Sequence, residues 1–398
     1  MLSVEEAQQC VLDAVTVLGD ETVPLRDAHG RVLREDVVAP FDVPEADNSA
    51  MDGYAVRAED IARVPASLRV IGVVPAGTVA ATRVEAGTAM RIMTGALVPD
   101  GADTVVHVEI TDDGDDVVSV LESLRRGANI RSRGEDMRGG ATVLNAGIPI
   151  RAAELGVLAS VQKTIVRVAR RPTVAILSTG DELVDVDEPR APGKVVNSNA
   201  YAMEALVTEA GAISRTFGIV RDTREATIAA LERALACDFV ITTGGVSVGS
   251  FDFVKDALAV LGAETKFWRV AMKPGKPVVV STLRDRVIFG LPGNPVSCMV
   301  SFHLFVLPAL RKAMGQERGL FHGAIEVRLA SPLRSALDRR IYYRVRIDAD
   351  RIATPMRAQG SGVLTSMIGA NGLAIIEPNQ TAAAGDIVRA LLIGTIDA

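Results

Sequence analysis

The stretch Thr173-Val-Ala-Ile-Leu-Ser-Thr-Gly-Asp-Glu-Leu183 decides the fold of the central part of this chain. It opens on an apolar run, typical of a strand buried on both faces of a parallel sheet, and runs straight into a glycine-containing loop. The same order recurs at Phe239–Gly249 and from Val287 onward. Because helical patterns at about 199–210, 223–236 and 252–261 alternate with these strands, the sequence predicts a doubly wound α/β domain.

The pattern changes on both sides of this region. Ser3 and Glu6 form a capping box ahead of an apolar stripe, which predicts a helix over 3–18. Short strands rich in glycine and proline then fill about 20–150, and period-two alternation after about 320 predicts a small C-terminal β domain resembling a barrel. These changes of pattern divide the chain into a β-rich N-terminal part up to about 150, an α/β domain from about 173 to 315, and a β domain after about 320.

Composition excludes several classes of protein. The 398 residues carry 43 lysines and arginines against 49 acidic residues, a net charge of −6 that argues against a nucleic-acid partner. Three widely spaced cysteines and four histidines without ligand spacing argue against a disulfide scaffold or a zinc site. Neither a signal peptide nor 18 consecutive apolar residues occurs, so we expect a soluble cytoplasmic protein that does not contact a membrane.

Four glycine-rich or proline-glycine loops lie beside strands of the α/β region, and they carry the strongest functional signal. They are Ser178–Leu183, Thr242–Gly249, Ala271–Pro277 and Gly290–Ser297. Loops that follow parallel strands share one edge of the sheet, where glycines let backbone N–H groups approach an anion. Hydroxyls of Ser178, Thr179 and Ser247 add donors, so the sequence predicts a phosphate or oxyanion site. The spacing does not match a P-loop or a dinucleotide fingerprint.

Charged residues beside these loops refine the prediction. Lys273 and Lys276 bracket a Pro-Gly pair and hold two cations on a short, stiff loop that suits an oxyanion. Four carboxylates also stand beside the loops, and carboxylates near bound phosphate indicate Mg²⁺ or proton transfer. They belong to Asp181, Glu182, Asp222 and Asp252.

Three N-terminal segments are also dense in polar and glycine residues. They are Asn48–Ala55, Arg91–Ala96 and Gly127–Asp136, and by themselves they are compatible with ordinary turns. The spacing of these segments does not indicate that they contact the α/β loops within one chain. Dimer formation could bring the two sets of loops together.

Together with Ser178–Leu183, Thr243–Gly249, Met272–Pro277 and Leu291–Ser297, these segments resemble the molybdopterin molybdenumtransferase family, which includes bacterial MoeA and the gephyrin E domain. The resemblance covers nearly the whole chain in the family's order. It implies an enzyme of molybdenum cofactor biosynthesis that inserts molybdenum from molybdate into adenylylated molybdopterin, with Mg²⁺ assistance and release of AMP. It also implies four domains per subunit: 1–45 with 140–170 as an elongated linker and dimerisation domain, 46–139 as a β-rich insertion, 171–316 as the α/β domain, and 317–398 as the β domain. The subunits are expected to form an elongated homodimer whose cleft combines the α/β domain of one subunit with the N-terminal β domain of the other.

The resemblance assigns roles to individual residues. The catalytic positions are Asp52, Thr94, Asp136, Glu182, Asp222 and Asp252, and the Mg²⁺ positions are Asp181, Glu182 and Asp252. Lys273 and Lys276 are expected to hold molybdate, with Arg344 and Ser361 closing on the oxyanion. The remaining substrate-binding positions are Ser178, Thr179, Gly180, Gly244, Gly245, Ser247, Gly249, Pro292, Gly293, Asn294 and Pro295. The chain departs from many relatives at Ser250, where they carry an acidic residue.

Two alternatives from other classes stay open at this point. One is a molybdopterin adenylyltransferase or another phosphate-handling transferase built on the same α/β domain, which would ignore molybdate. The other is a dimeric scaffold, a role that the gephyrin E domain also fills. The candidate protein partners implied by the resemblance are a molybdopterin adenylyltransferase and molybdoenzyme maturation proteins.

Overall fold

The computed structural model describes residues 1–189, 191–246, 253–335 and 338–396, and these divide into two compact units. The main unit comprises Met1–Arg34, Gly147–Arg151 and Val166–Ala398. The N-terminal β unit comprises Glu35–Ala146 and Ala152–Ile165.

The helices follow the predicted apolar spacing. The predicted capping box is confirmed: the Ser3 hydroxyl accepts from the Glu6 N–H, while the Glu6 carboxylate accepts from the Ser3 N–H. This pairing satisfies two N–H groups that a helix start otherwise leaves open. The helices are α1 Val4–Ala14, α2 Ala152–Ser160, α3 Ser198–Glu209, α4 Arg224–Ala234, α5 Phe253–Val260, α6 Pro295–Ser301 and α7 Leu307–Ala313, with 3-10 turns at Leu25–Asp27, Ala58–Ile61, Val108–Ile110 and Leu364–Met367.

The N-terminal β unit is built on a five-stranded sheet with the order β4-β1-β3-β2-β5. Its strands are β1 Gly53–Val56, β2 Ala66–Val74, β3 Thr88–Ile92, β4 Thr104–His107 and β5 Val117–Val120. Only the β2–β3 pair is parallel. Strand β1, an interior strand of this sheet, is buried along its whole length, with β3 on one side and β4 on the other.

The α/β domain of the main unit carries a six-stranded sheet with the order β7-β6-β8-β11-β10-β9. The strands are β6 Thr173–Thr179, β7 Ile213–Val220, β8 Phe239–Thr243, β9 Glu264–Arg269, β10 Pro277–Leu283 and β11 Arg286–Leu291. Strands β7, β6, β8 and β11 are parallel, which confirms the doubly wound prediction. In β6, Val174 and Ile176 pack into one core cluster and Ala175 and Leu177 into another, so the strand is buried on both faces.

The other edge of this sheet differs from a purely parallel arrangement. Strands β10 and β11 form an antiparallel hairpin whose turn residues, Arg284 and Asp285, both adopt left-handed φ angles of 50° and 61°. Two left-handed residues form the tight turn whose twist matches a hairpin. The connection is too short for a helical crossover, and therefore β10 cannot run parallel to its neighbour.

The C-terminal domain is a closed barrel, as predicted. Its strands are β12 Ala324–Leu329, β13 Arg340–Ile347, β14 Ile352–Pro355, β15 Gly372–Ile376 and β16 Ile387–Leu392. Their order is β13-β14-β12-β16-β15, and β13 pairs with β15 to complete the ring. The remaining short strands are Asp20–Pro24, Val37–Val38, Asn48–Ser49, Ile130–Arg131, Thr142–Leu144, Ile165–Ala169, Leu183–Val184, Val195–Val196, Met272–Lys273, Leu333–Arg334 and Thr381–Ala382.

The apolar helix after Pro295 is the core helix of the main unit. It runs from Pro295 to Ala313 and includes a π-helical segment, Phe302–Val306. By length and composition it could cross a membrane, but 83% of its most apolar window is buried inside the protein. Burial of this kind is what a core helix requires.

Asp238 forms a half-buried ion pair with Arg170 just before β8, and replacement of Asp238 by asparagine tests its contribution to stability. Burial alone would raise the pKa of Asp238, but hydrogen bonds from Arg170 and Thr173 outweigh this and lower the pKa to about 2. We expect Asp238→Asn to reduce the free energy of unfolding by about 2 kcal/mol at pH 7. Because the folded-state pKa is the lower one, the deficit should shrink as the pH falls from about 4 toward 2.

Urea denaturation of the wild type and Asp238→Asn between pH 7 and pH 3 measures this difference. Asp350→Asn, at an exposed position in a loop of the barrel, is the matched control and should change stability by less than about 0.5 kcal/mol. If Asp238→Asn and Asp350→Asn changed the free energy of unfolding equally at pH 7, the stabilising role of the Asp238 ion pair would be contradicted.

Candidate functional site

A cavity of about 450 Å³ lies where the parallel strands β6, β8 and β11 end. This is the edge at which the sequence places its glycine-rich loops, and ligands of open α/β sheets bind there. The cavity is lined by Thr179, Gly180, Glu182, Leu183, Asn199, Asp222, Thr243, Gly244, Gly245, Val246, Pro277, Pro292, Gly293 and Asn294.

The glycines after β8 are required by the close approach of two loops. Gly244 and Gly245 have left-handed φ angles of 91° and 66°. A Cβ on Gly245 would lie 2.8 Å from both Thr179 Oγ1 and a methyl group of Val254, and one on Gly244 would lie 2.7 Å from the Thr179 carbonyl oxygen. The Gly244 N–H donates to the Leu291 carbonyl oxygen, which ties this loop to the end of β11.

The two hydroxyls at the end of β6 have different surroundings. Ser178 is buried and accepts a hydrogen bond of 3.1 Å from the Thr243 hydroxyl, so it contributes to the packing between strands. The Thr179 hydroxyl is also buried, but no hydrogen-bond partner for it occurs among the described residues. Because buried hydroxyls are normally paired, Thr179 Oγ1 is the group of this cavity that a ligand oxygen would satisfy.

Carboxylates stand at the mouth of the cavity. The Asp181 N–H donates to Asp222 Oδ2 and the Asp222 N–H donates to Asp181 Oδ1, both at 3.2 Å, so the two loops hold each other. The Glu182 carboxylate folds back over Gly180, where a Cβ would lie 2.6 Å from Oε2. Glu182 and Asp222 border the cavity, whereas Asp181 is exposed beside it.

The loop from Lys273 to Lys276 lies at the same edge of the sheet. Strand β10 starts directly after it and runs antiparallel to β11, which places the loop beside the end of β11. A Cβ on Gly275 would lie 2.8 Å from Ser301 Oγ, so the loop packs against the core helix. Lys273 is exposed and Lys276 is half-buried, and the lining described above includes Pro277 but neither lysine.

The turn Pro292–Pro295 joins β11 to α6. The Asn199 side-chain amide donates to the Gly293 carbonyl oxygen at 2.8 Å, and the first turn of α6 is capped from the barrel domain, where the Ser361 carbonyl accepts from the Val296 N–H at 3.1 Å. Ser361 therefore meets this turn through its backbone. Pro295 occupies the first helical position, where its missing N–H costs nothing.

Arg344 is fully buried inside the barrel domain. Its guanidinium donates to Ser366 Oγ and to the carbonyl oxygens of Ala358 and Gly360, at 3.1 to 3.2 Å. These contacts hold the 358–366 loop that carries Ser361. Burial lowers the pKa of Arg344.

The N-terminal β unit brings its three polar segments together. The Ser49 N–H donates to the Ala96 carbonyl oxygen, and the Ala50 N–H donates to the Asn129 carbonyl oxygen. Asp52, just before β1, accepts from both the N–H and the hydroxyl of Thr94, at 2.6 and 2.8 Å. These two hydrogen bonds lower the pKa of Asp52 and keep it ionised near neutral pH.

Asp136 lies in the same segment as Asn129 but is exposed at a separate turn, where its N–H donates to the Val43 carbonyl oxygen. The structure therefore joins Asp52 to Thr94 directly, whereas the hydrogen bond of Asp136 within the described chain goes to Val43 instead. Ser247, Gly249, Ser250 and Asp252 lie outside the described residues.

The sequence analysis missed the polar side chains of Asn199 and Lys194 at this site. Asn199 borders the cavity, and the Lys194 ammonium donates to the Asp181 carbonyl oxygen. The sequence pattern that could have indicated Asn199 is the run Asn197-Ser198-Asn199 at the start of a helix. Asn197 caps α3 through its side chain, which leaves Asn199 to reach across to Gly293.

Comparison with known proteins covers nearly the whole chain. Residues 2–162 match the family described as MoeA N-terminal region (domain I and II), residues 175–312 match the probable molybdopterin binding domain, and residues 326–393 match the MoeA C-terminal region (domain IV). Similarity therefore extends on both sides of the α/β domain, and a transferase consisting of that domain alone is not favoured.

Comparisons with individual relatives support the same family. The chain is 39% identical to a molybdopterin molybdenumtransferase of Nostoc sp., over 96% of this chain and 91% of that protein. It is 34% identical to the protein of the same name from Haemophilus influenzae, over 98% of each chain. Among solved structures, the molybdopterin biosynthesis MoeA protein of Pyrococcus horikoshii matches with a TM-score of 0.85 at 32% identity, over 98% of this chain and 100% of that one.

Proposed function

Since the chain belongs to the molybdopterin molybdenumtransferase family, transferases of molybdenum cofactor biosynthesis, we propose that it inserts molybdenum from molybdate into adenylylated molybdopterin and releases AMP. The single observation that supports this most is the cavity at the ends of β6, β8 and β11. It offers a buried Thr179 hydroxyl, without a hydrogen-bond partner among the described residues, beside two glycine-lined loops, which suits a phosphate group of the substrate.

The lysines and the carboxylates of the site would have different roles. Lys273 and Lys276, at the same edge of the sheet, would hold the dianionic molybdate. Asp222 and Glu182 at the cavity mouth would orient the water or proton needed when the phosphoanhydride is cleaved. Ordered cations and carboxylates around such a reacting group stabilise charge as it develops.

The carboxylates fit Mg²⁺. This ion is usually held by one or two carboxylates together with substrate phosphates and water, and Glu182 and Asp222 supply such a pair. No larger cluster of metal-ligating side chains occurs within the described parts of the chain, which is compatible with a metal that arrives with its substrate. When bound there, Mg²⁺ would neutralise phosphate charge during cleavage.

The Asp52–Thr94 pair would serve the same reaction from the partner subunit. We propose that the enzyme is a homodimer in which the N-terminal β unit of one subunit completes the cleft of the other. Its ionised Asp52 would then contribute a fixed negative charge. The three free cysteines favour a reducing cytoplasm, where an adenylyltransferase would supply the substrate.

AMP release from adenylylated molybdopterin tests the function. We expect the purified protein to release AMP only when molybdate and Mg²⁺ are both present. Lys276→Ala should slow this release at least about tenfold, because one oxyanion contact is lost. Lys266→Ala removes the same charge from a surface pair with Glu264 on β9 and should leave the rate unchanged.

A different result would overturn the proposal. AMP release that ignores molybdate, or synthesis of adenylylated molybdopterin from ATP, would assign the chain to another transferase reaction. A folded Lys276→Ala or Asp252→Ala variant with the wild-type rate would remove those residues from the site.

A further inference from the structure

A second cavity, of about 410 Å³, lies near the other end of the core helix. Arg311 in the last helical turn borders it, sixteen residues beyond Pro295, which places it about 24 Å along the helix from the candidate active site. The lining residues are Pro149, Arg151, Arg311, Gln316, Arg318, Gly319, Phe321, His322 and Gly323, all within the main unit.

Arg311 is a half-buried cation for which the described residues supply no acidic partner. One guanidinium nitrogen donates to the carbonyl oxygens of Gly319 and Leu320, at 2.9 and 3.1 Å. Among the described residues, no aspartate or glutamate oxygen pairs with it. Burial lowers the pKa of Arg311, which reflects the cost of holding this charge away from water. Charges held partly away from water are normally compensated by an opposite charge, and here only carbonyl oxygens face the guanidinium, which leaves it suited to an anion.

Two further arginines and a histidine ring border the same space. Arg318 is exposed and likewise has no acidic partner in the described structure, and Arg151 stands at the rim. The His322 ring lies 3.0 Å from His303 through its Nε2 atom and also borders the cavity. None of the described lining residues is acidic, although the whole chain carries a net charge of −6.

Helix capping explains part of this arrangement. A cation in the last turn interacts favourably with the helix dipole, and this accounts for Arg311 alone. It does not account for Arg318 and His322, which lie beyond the helix end and turn toward the same cavity. Phe321 and Pro149 add an apolar wall beside the cations.

We propose that this cavity binds a small phosphorylated molecule, with its phosphate on Arg311 and Arg318 beside the His322 ring and its organic part against Phe321. Guanidinium groups hold phosphate oxygens through charge-assisted and frequently bidentate hydrogen bonds. The site would be separate from the α/β cavity and independent of the reaction proposed there.

The experiment reads binding at His322 itself, because the α/β cavity is also expected to take phosphates. The chain has four histidines, so the ring signals of 13C-labelled histidine can be assigned with a His322→Gln variant. Titration with inorganic pyrophosphate or AMP should shift the His322 signal saturably at pH 7. Adenosine, which lacks the phosphate, should leave that signal in place.

Two charge reversals make the test specific. Arg318→Glu should weaken pyrophosphate binding at least roughly tenfold, since a charged hydrogen-bonding group is lost and an acidic one replaces it. Arg63→Glu makes the same change in net charge at an exposed position of the N-terminal β unit and should change the affinity less than twofold. An unmoved His322 signal, an equal response to adenosine, or equal effects of the two reversals would overturn the proposal.

Discussion

Co-expressed Asp52→Asn and Glu182→Gln subunits are expected to release AMP at about a quarter of the wild-type rate, although each variant alone should lose about 100-fold or more. Random pairing makes half of the dimers mixed. If each cleft combines two subunits, a mixed dimer holds one cleft with both substitutions and one with neither. The intact clefts then account for the recovered activity.

Both substitutions keep the local structure. Asparagine at position 52 retains a side-chain oxygen for the Thr94 N–H and hydroxyl, and glutamine at position 182 keeps the shape of a side chain at the cavity mouth. The loss expected for each variant is therefore a loss of charge.

A second co-expression supplies the matched control. Asp52→Asn paired with Thr94→Val alters the same N-terminal group in both subunits, so no intact cleft can form and activity should stay at the level of the single variants. If the first pair also fails to recover, Asp52 and Glu182 do not meet across a subunit boundary. That outcome would refute the proposed composite cleft while leaving the molybdate-dependent assay of the wild type to decide the function.

Gly53→Ala is expected to destabilise the N-terminal β unit by at least about 3 kcal/mol. A Cβ at this position would lie 1.9 Å from the Val106 carbonyl oxygen and 2.8 Å from the His107 Cα. Both atoms belong to the backbone of the neighbouring strand β4, so no side-chain movement relieves the overlap. Strand β1 would have to separate from β4, and Asp52 would move with it.

Gly72→Ala is the control in the same sheet. The nearest atom to its Cβ would be the terminal methyl of Met90, at 4.0 Å, and we expect a stability change within about 1 kcal/mol. Hydrogen exchange over 53–56 and 104–107 measures the effect locally. The only tryptophan, Trp268, lies in β9 of the main unit, so its fluorescence reports separately on that unit. Equal protection in the two variants would show that β1 accommodates the extra carbon.

The sequence predicted those features that depend on local order. The capping box at Ser3 and the apolar runs of β6, β8 and β11 are local patterns, and the rule that parallel strands end at one edge then placed the loops together. Strand β7 was not predicted, because this sheet-edge strand is mostly exposed and is interrupted by Arg215 and Gly218.

Pairings between distant residues could not be predicted in this way. Nothing in the spacing of Asp52 and Thr94, or of Asn199 and Gly293, indicates that their side chains or backbones meet. The different surroundings of Ser178 and Thr179 are also invisible in sequence, because they depend on which hydroxyl faces Thr243. Such details follow from tertiary packing, and they decide which residues remain available to a ligand.

The closed ring of the C-terminal barrel has a consequence for assembly and aggregation. A ring of paired strands presents no free strand edge onto which another chain could add a strand. The α/β sheet of the same unit, in contrast, has two outer strands, β7 at one edge and β9 at the other. The β7 edge is protected by the charge of Arg215, by the left-handed Gly218 and by an irregular register against β6.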